Sequence, residues 1–270
     1  MIEEIVLKYN KRGMDKINAH IPSGYYEAAA KDIKAIKDGR NILLFTGFWV
    51  GGHAETDGPV GTYFLSIALR KMGFYPVIIT DLYARQYFNF GDEQFETLIV
   101  PIRGFSEEFM YNKLLETYQA TALIAIERCG MNEYGVYSNK AGESIGHNTA
   151  PLDWFFLEGE DLLTIGIGDG GNEIGMGKHA DLIKEHLGND CPCAVSTKHN
   201  LLATTSNWGA YGLIAAMDKG LLPSMAEINK YYDHILTLGA TDGFSGKAEK
   251  SVDGFGIDKT EEILRELLES

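Results

Sequence analysis

Basic side chains are in short supply. The chain carries 24 Lys and Arg against 38 Asp and Glu, a formal net charge of −14. That deficit argues against nucleic acid and against an anionic membrane surface, because both are held mainly through Lys and Arg. It does not exclude small anions, since a local site can be positive or metal-loaded on an acidic protein. Cysteine is scarcer still. Cys129, Cys191 and Cys193 are odd in number, and the last two are separated by a single proline. This is neither a disulfide framework nor zinc-knuckle spacing, and a reducing compartment is the simpler account. Met1-Ile2-Glu3-Glu4 lacks the basic and apolar regions of a signal peptide. No apolar run reaches the ~18–20 residues that span a membrane. A cytoplasmic location is expected. Proline is also rare, at 7, whereas glycine stands at 31. Such a balance suggests many tight turns and places where backbone approaches a ligand. With 45% hydrophobic residues over 270 positions, the chain can bury a substantial core.

No low-complexity linker, charge block or internal repeat divides the sequence, so residues 1–270 are expected to form a single domain, with 1–38 as an N-terminal helical segment packed on it. That segment reads as two helices, the second over Tyr25 to Lys37 and stopped by Asp38-Gly39. Beyond it the pattern alternates. Short apolar runs occupy 41–48, 75–80, part of 95–102, 122–127, 162–167 and 201–205. Helical stretches occupy 59–72, 105–119, 208–217, 224–236 and 259–268. Short, fully apolar strands between amphipathic helices predict a three-layer α/β/α fold with a mostly parallel, doubly wound sheet. In such sheets ligands bind beyond the carboxyl ends of the strands. The chemistry should therefore lie in whatever follows each strand.

The first strand runs into a glycine-rich loop, Thr46 to Gly58, which leads to a helix starting near Pro59. It has neither the Gly-Lys-Ser/Thr of a Walker A loop nor G-x-G-x-x-G, so ATP and NAD are disfavoured. Glu55 and Asp57 lie two apart and point the same way in an extended loop. Asp57 is either a cap for the following helix or a group for metal and acid–base work. His53, in the same loop, is the one histidine placed near a candidate site. The fourth strand ends in Glu127-Arg128, either an internal ion pair or a metal-ligating carboxylate beside an anion-binding guanidinium. The fifth ends in Gly166-Ile167-Gly168-Asp169-Gly170-Gly171-Asn172-Glu173-Ile174-Gly175-Met176-Gly177-Lys178. Packing alone does not account for so many glycines. A helical turn there would place Asp169, Asn172 and Glu173 on one face, an all-oxygen donor set suited to Mg²⁺ or Mn²⁺. The sixth is followed by Ser206 and Asn207, which are good helix N-caps and would also present polar groups to a ligand.

Glu55–Pro59 (ETDGP), Glu127–Gly130 (ERCG), Gly135, Tyr137 and Asn139, Gly168–Lys178 (GDGGNEIGMGK), Ser206–Leu213 (SNWGAYGL), Gly243–Gly246 (GFSG) and Val252–Gly254 (VDG) together resemble the C-terminal, catalytic-type domain of the D-glutamate cyclase family. The likeness runs in order over residues 40–257. It implies a metal-dependent hydro-lyase that cyclises D-glutamate, or a related amino acid, to 5-oxo-D-proline. A Mn²⁺- or Mg²⁺-dependent phosphohydrolase acting on a small phosphate ester is the alternative, and a non-catalytic metabolite-binding protein the third reading. The expected metal ligands are Glu55, Asp57, Glu127, Asp169, Asn172 and Glu173. Asp57 or Glu173 is expected as the general base, and Arg128 as the holder of the α-carboxylate. Amides of Gly51, Gly52, Gly170 and Gly171 are expected at the oxyanion. Thr56, Asn139, Ser206 and Asn207 complete the expected substrate contacts. The partner is a small anion, an amino acid or a phosphate ester, and a homo-oligomer is expected.

Overall fold

The computed structural model describes residues 1–37, 39–103 and 108–270. Six strands form one sheet: β1 (Asn41–Thr46), β2 (Tyr75–Thr80), β3 (Thr97–Ile99), β4 (Ala120–Ile126), β5 (Leu163–Gly168) and β6 (His199–Leu202). Their order is β6-β5-β4-β1-β2-β3, and every neighbouring pair is parallel. Both faces are buried. Ile42 and Leu44 of β1 enter one hydrophobic core, and Leu43 and Phe45 enter the other, as period-2 alternation requires. The first core is closed by α4 (Pro59–Lys71), α8 (Ser206–Met217), α9 (Met225–Thr237) and α10 (Ile257–Glu269), the second by α5 (Glu108–Tyr118), α6 (Trp154–Glu158) and α7 (Ala180–Leu187). This is the expected three-layer, doubly wound α/β/α architecture.

The chain runs outward from β1 through β2 to β3, then returns to the opposite side of β1 to lay down β4, β5 and β6. The order reverses between β1 and β4, which opens a crevice at their carboxyl ends. The loops bearing Glu55, Asp57 and Glu127 are the two that flank this switch point.

The N-terminal segment departs from expectation. It holds three short helices, α1 (Ile2–Val6), α2 (Met14–Asn18) and α3 (Tyr25–Lys34). Gly13 and Gly24, both at φ 87°, start the second and third. Glu3 caps α3 from a distance, accepting the N–H groups of Gly24 and Tyr25. Residues of α1 and α3 enter the first core and those of α2 the second, so the connection between α1 and α2 crosses the sheet edge. Thr204, just past β6, donates its N–H to the Val6 carbonyl at 2.9 Å and its hydroxyl to the Lys8 carbonyl at 2.8 Å. That pins residues 6–13 over the carboxyl ends of the strands. The helix stop expected at Asp38 and the helix start expected at Phe105 lie outside the described residues. Among the described residues, no helix is long and apolar enough to cross a membrane.

Candidate active site

Two helix N-termini meet at the switch point and exchange caps. Asp57, in the loop before α4, accepts the N–H groups of Ser206 and Asn207 at the start of α8, at 2.9 and 2.7 Å. Asn207 in return accepts the N–H groups of Gly58 and Gly61 at the start of α4, at 3.0 and 2.7 Å, and donates to the Thr56 carbonyl at 2.9 Å. Asp57 is thus a cap, but of α8 rather than of the helix that follows it. The N-cap of α8 is Thr205, whose side chain accepts from Trp208 N–H, and not Ser206 or Asn207. Gly58 is required where the loop turns. Its φ is +89°, and a Cβ there would come within 2.8 Å of the Glu127 Cβ and of the Thr46 hydroxyl. Asn207→Ala leaves the buried Gly61 N–H without an acceptor, while Gly58 keeps the Asp57 carboxylate at 3.0 Å. The expected loss is about 1–3 kcal/mol, measurable by urea unfolding.

Around this clasp sit five buried acids: Glu55, Asp57, Glu127, Asp169 and Asp253. One oxygen from each of Asp57, Glu127 and Asp169 lies within 4.8 Å of the others, a grouping able to hold a metal ion. Glu127 and Asp253 are both placed by left-handed backbone, at φ 45° and 51°, a strain that costs about 1–3 kcal/mol each and tends to collect at functional sites. The Ser206 hydroxyl donates to Glu127 Oε2 at 2.6 Å. The cation that reaches into the cluster is Arg12, from the crossing segment. It pairs with Asp169 Oδ1 and, at 2.6 Å, with Asp253 Oδ1. Asp169 Oδ2 and Asp253 Oδ2 are buried without a hydrogen-bond partner.

The electrostatics follow from this imbalance. Burial, and then the neighbouring charge of Asp253, push Asp57 up to about 7 despite the N–H groups of Asn207 and Ser206. Burial pushes Asp169 up to about 7 against the pull of Arg12. Glu55, Glu127 and Asp253 are raised well above the usual carboxylate range, first by burial and then by other acids of the cluster. Burial works against the Arg12 charge, but Asp169 and Asp253 outweigh it and hold the guanidinium charged. Acids packed in this way are either protonated or matched by a cation.

Above the acids opens a cavity of about 570 Å³ whose lining includes Arg12, Trp49, Glu55, Glu127, Lys140, Asn172 and Phe244. Glu55 enters it directly. Its carboxylate lies against Gly243, where a Cβ would collide with Oε2. Gly51 lines the cavity at the tip of a hairpin formed by Trp49–Val50 and His53–Ala54; Gly52 completes the turn but is not in the lining. His53 is exposed and packs on Gly239 rather than facing the acids.

Several expected roles are displaced. Arg128 is fully buried and turned away from Glu127. It pairs with Asp81 at 2.7 Å and donates to the carbonyls of Gly47 and Ala150, so it neither forms the internal pair with Glu127 nor lines the cavity. The guanidinium at the site is Arg12 instead. Residues 169–176 are not helical, so Asp169, Asn172 and Glu173 do not share a helix face. Glu173 folds back and accepts the N–H groups of Gly170 and Gly171, at 2.9 and 2.7 Å. Those two amides are therefore not free for an oxyanion, and Glu173 is not free to act as base. Part of the glycine run does serve packing: a Cβ on Gly166 would strike the Ile174 carbonyl. Thr56 donates its hydroxyl to the Ser251 carbonyl at 2.8 Å, and Asn172 donates its amide to the Ser138 carbonyl at 2.9 Å. Asn139 lines the cavity, but its side chain bonds within its own loop. Strand-end reasoning missed Arg12, because that residue follows no strand. Asp253 lies in the VDG segment, which carried a signal but no assigned role.

The family model described as D-glutamate cyclase-like, C-terminal, matches residues 2–268. Human mitochondrial D-glutamate cyclase is 31% identical over 208 residues, which is 68% of this chain and 33% of that protein. The chain thus spans about a third of the length of that curated relative. With the match running from α1 to the last turn of α10, the chain belongs to the D-glutamate cyclase-like C-terminal family.

Proposed function

We propose that the protein converts D-glutamate to 5-oxo-D-proline with loss of water, in a site that takes Mn²⁺ or Mg²⁺. The observation carrying this reading is the set of five buried acids around one guanidinium, at the switch point of the sheet. Such a cluster repels an acidic substrate unless a cation joins it. The donor set fits one: Asp57, Glu127 and Asp169 offer clustered oxygens, and no N–H or hydroxyl donor reaches the buried Asp169 Oδ2. All-oxygen ligation suits Mg²⁺ or Mn²⁺. When bound, the ion would polarise the γ-carboxylate as a Lewis acid. Glu173 is left out of the ligand set, since its oxygens are not among the three that cluster and are turned back onto the amides of Gly170 and Gly171.

Cyclisation forms a bond from the α-nitrogen to the carbon of the γ-carboxylate and breaks one of that carbon's bonds to oxygen. The two protons given up by the ammonium leave with the expelled oxygen as water. Glu55 is the acid placed to move the first. It lines the cavity, and its raised pKa makes it a stronger base than an ordinary carboxylate. Arg12 fixes Asp169 and Asp253 in place. Folding the substrate so that its two ends meet is worth about 7 kcal/mol in well-oriented intramolecular reactions.

Metal analysis of the purified protein, followed by incubation with D-glutamate and mass spectrometry for 5-oxo-D-proline, tests the proposal. Metal-dependent product is the expected result. No product, with turnover of a phosphomonoester instead, would favour the phosphohydrolase.

A further inference from the structure

Lys140 has no part in the chemistry described above, yet it lines the same cavity. It sits on the turn between Ser138 and Ser144, which pair as an isolated bridge. Asn139 builds this turn. Its side-chain oxygen accepts the N–H groups of Ala141 and Glu143, each at 3.0 Å, and its amide donates to Glu143 Oε2 at 2.9 Å. The family-like asparagine is thus committed to the turn, and the turn presents the next residue to the cavity. Among the described residues, the Lys140 ammonium makes no hydrogen bond or ion pair. The other two cations in the lining are occupied: Arg12 by Asp169 and Asp253, and Lys11 by the Asp253 carbonyl at 2.6 Å and the face of Phe244 at 3.2 Å. Partial desolvation at the cavity wall, and then the charge of Arg12, lower the Lys140 pKa, while Asp169, Glu173 and Asp253 oppose them. The ammonium is therefore close to the site and without a partner of its own.

Substrate geometry says what that partner is. In the proposed cyclisation the γ-carboxylate loses an oxygen and belongs with the acids and their ion. The α-carboxylate keeps its charge from substrate to product, and a flexible ammonium suits a charge that only needs holding. We propose that Lys140 is a specificity-determining residue that binds the α-carboxylate of a short α-amino dicarboxylate; this rests on the cyclase reading.

The test compares wild type with Lys140→Gln and Lys140→Arg. Lys140→Gln should raise KM for D-glutamate about tenfold or more, with a smaller effect on kcat, because a group holding an unchanging charge contributes uniform binding. Lys140→Arg should recover part of the loss. The α-amide of D-glutamate, which lacks that charge, should be processed alike by wild type and Lys140→Gln. Calorimetric titration with glutarate, which cannot cyclise, separates this inference from the reaction. Binding about tenfold weaker in Lys140→Gln supports it even if D-glutamate is never turned over. Equal binding by both proteins, or none by wild type, overturns it even if cyclisation is found.

Discussion

Asp169→Asn should cut turnover severely and at the same time stabilise the metal-free protein. Asp169 supplies one of the three clustered oxygens, and loss of the several kcal/mol a metal ion contributes to charge stabilisation lowers kcat by about 10³-fold. Asparagine keeps an oxygen for Arg12 while removing a charge that raises its neighbours' pKa values. The Tm of the metal-free variant should therefore rise, roughly 2–4 °C if the gain is near 1 kcal/mol. The effect depends on pH in a definite direction. Asp57 and Asp169 have their pKa values raised from 3.8 to about 7 on folding, so between those values the native state binds more protons than the unfolded chain. Stability of the metal-free protein then falls as pH rises from about 4 to about 7. Asp169→Asn should flatten that slope, and so should Mn²⁺ added to wild type. Differential scanning fluorimetry across this range, with and without metal, provides the measurement. An asparagine variant that is inactive and also less stable at pH 8 would mean that Asp169 is a structural acid rather than a strained ligand.

Arg12→Met has the opposite signature. Arg12 is the half-buried partner of the buried Asp169 and Asp253, with side-chain exposure of 18%. Removing one member of a buried ion pair leaves its partners uncompensated, at a cost of about 3–5 kcal/mol. The loss should be largest at pH 8. It should shrink towards pH 5, where the stranded acids take up protons in place of the guanidinium. Adding Asp253→Asn to Arg12→Met should restore much of the stability, because the second change removes the charge the first exposed. Urea unfolding of the single and double variants reads the coupling directly. If Arg12→Met is as stable as wild type at pH 8, the acids are already neutral or matched by another cation, and Arg12 is dispensable to the fold.

The layers of the fold were legible because they depend on local pattern. Runs such as 41–48 and 75–80 are apolar on both faces, and only a sheet covered on both sides buries them. Strand-end logic then led to Glu55, Asp57, Glu127 and Asp169, all of which lie in the acid cluster. The same logic failed at Arg128. A guanidinium next to Glu127 in sequence leaves a strand end in the opposite direction, and it went to Asp81. It failed at Glu173 because an acid can fold back on its own glycines when no helix forms. It could not find Arg12, whose position depends on helices α1 and α2 packing on opposite faces of the sheet, with Thr204 holding the link between them. By itself the sequence determined the periodicity, the layers and the acids that end the strands, since each is set by residues near one another in the chain. Tertiary structure alone decided which cation faces those acids and which polar groups were already committed to each other. The decisive ones join segments more than 140 residues apart, as between Asp57 and Asn207 or Arg12 and Asp169, where no local pattern records the partner.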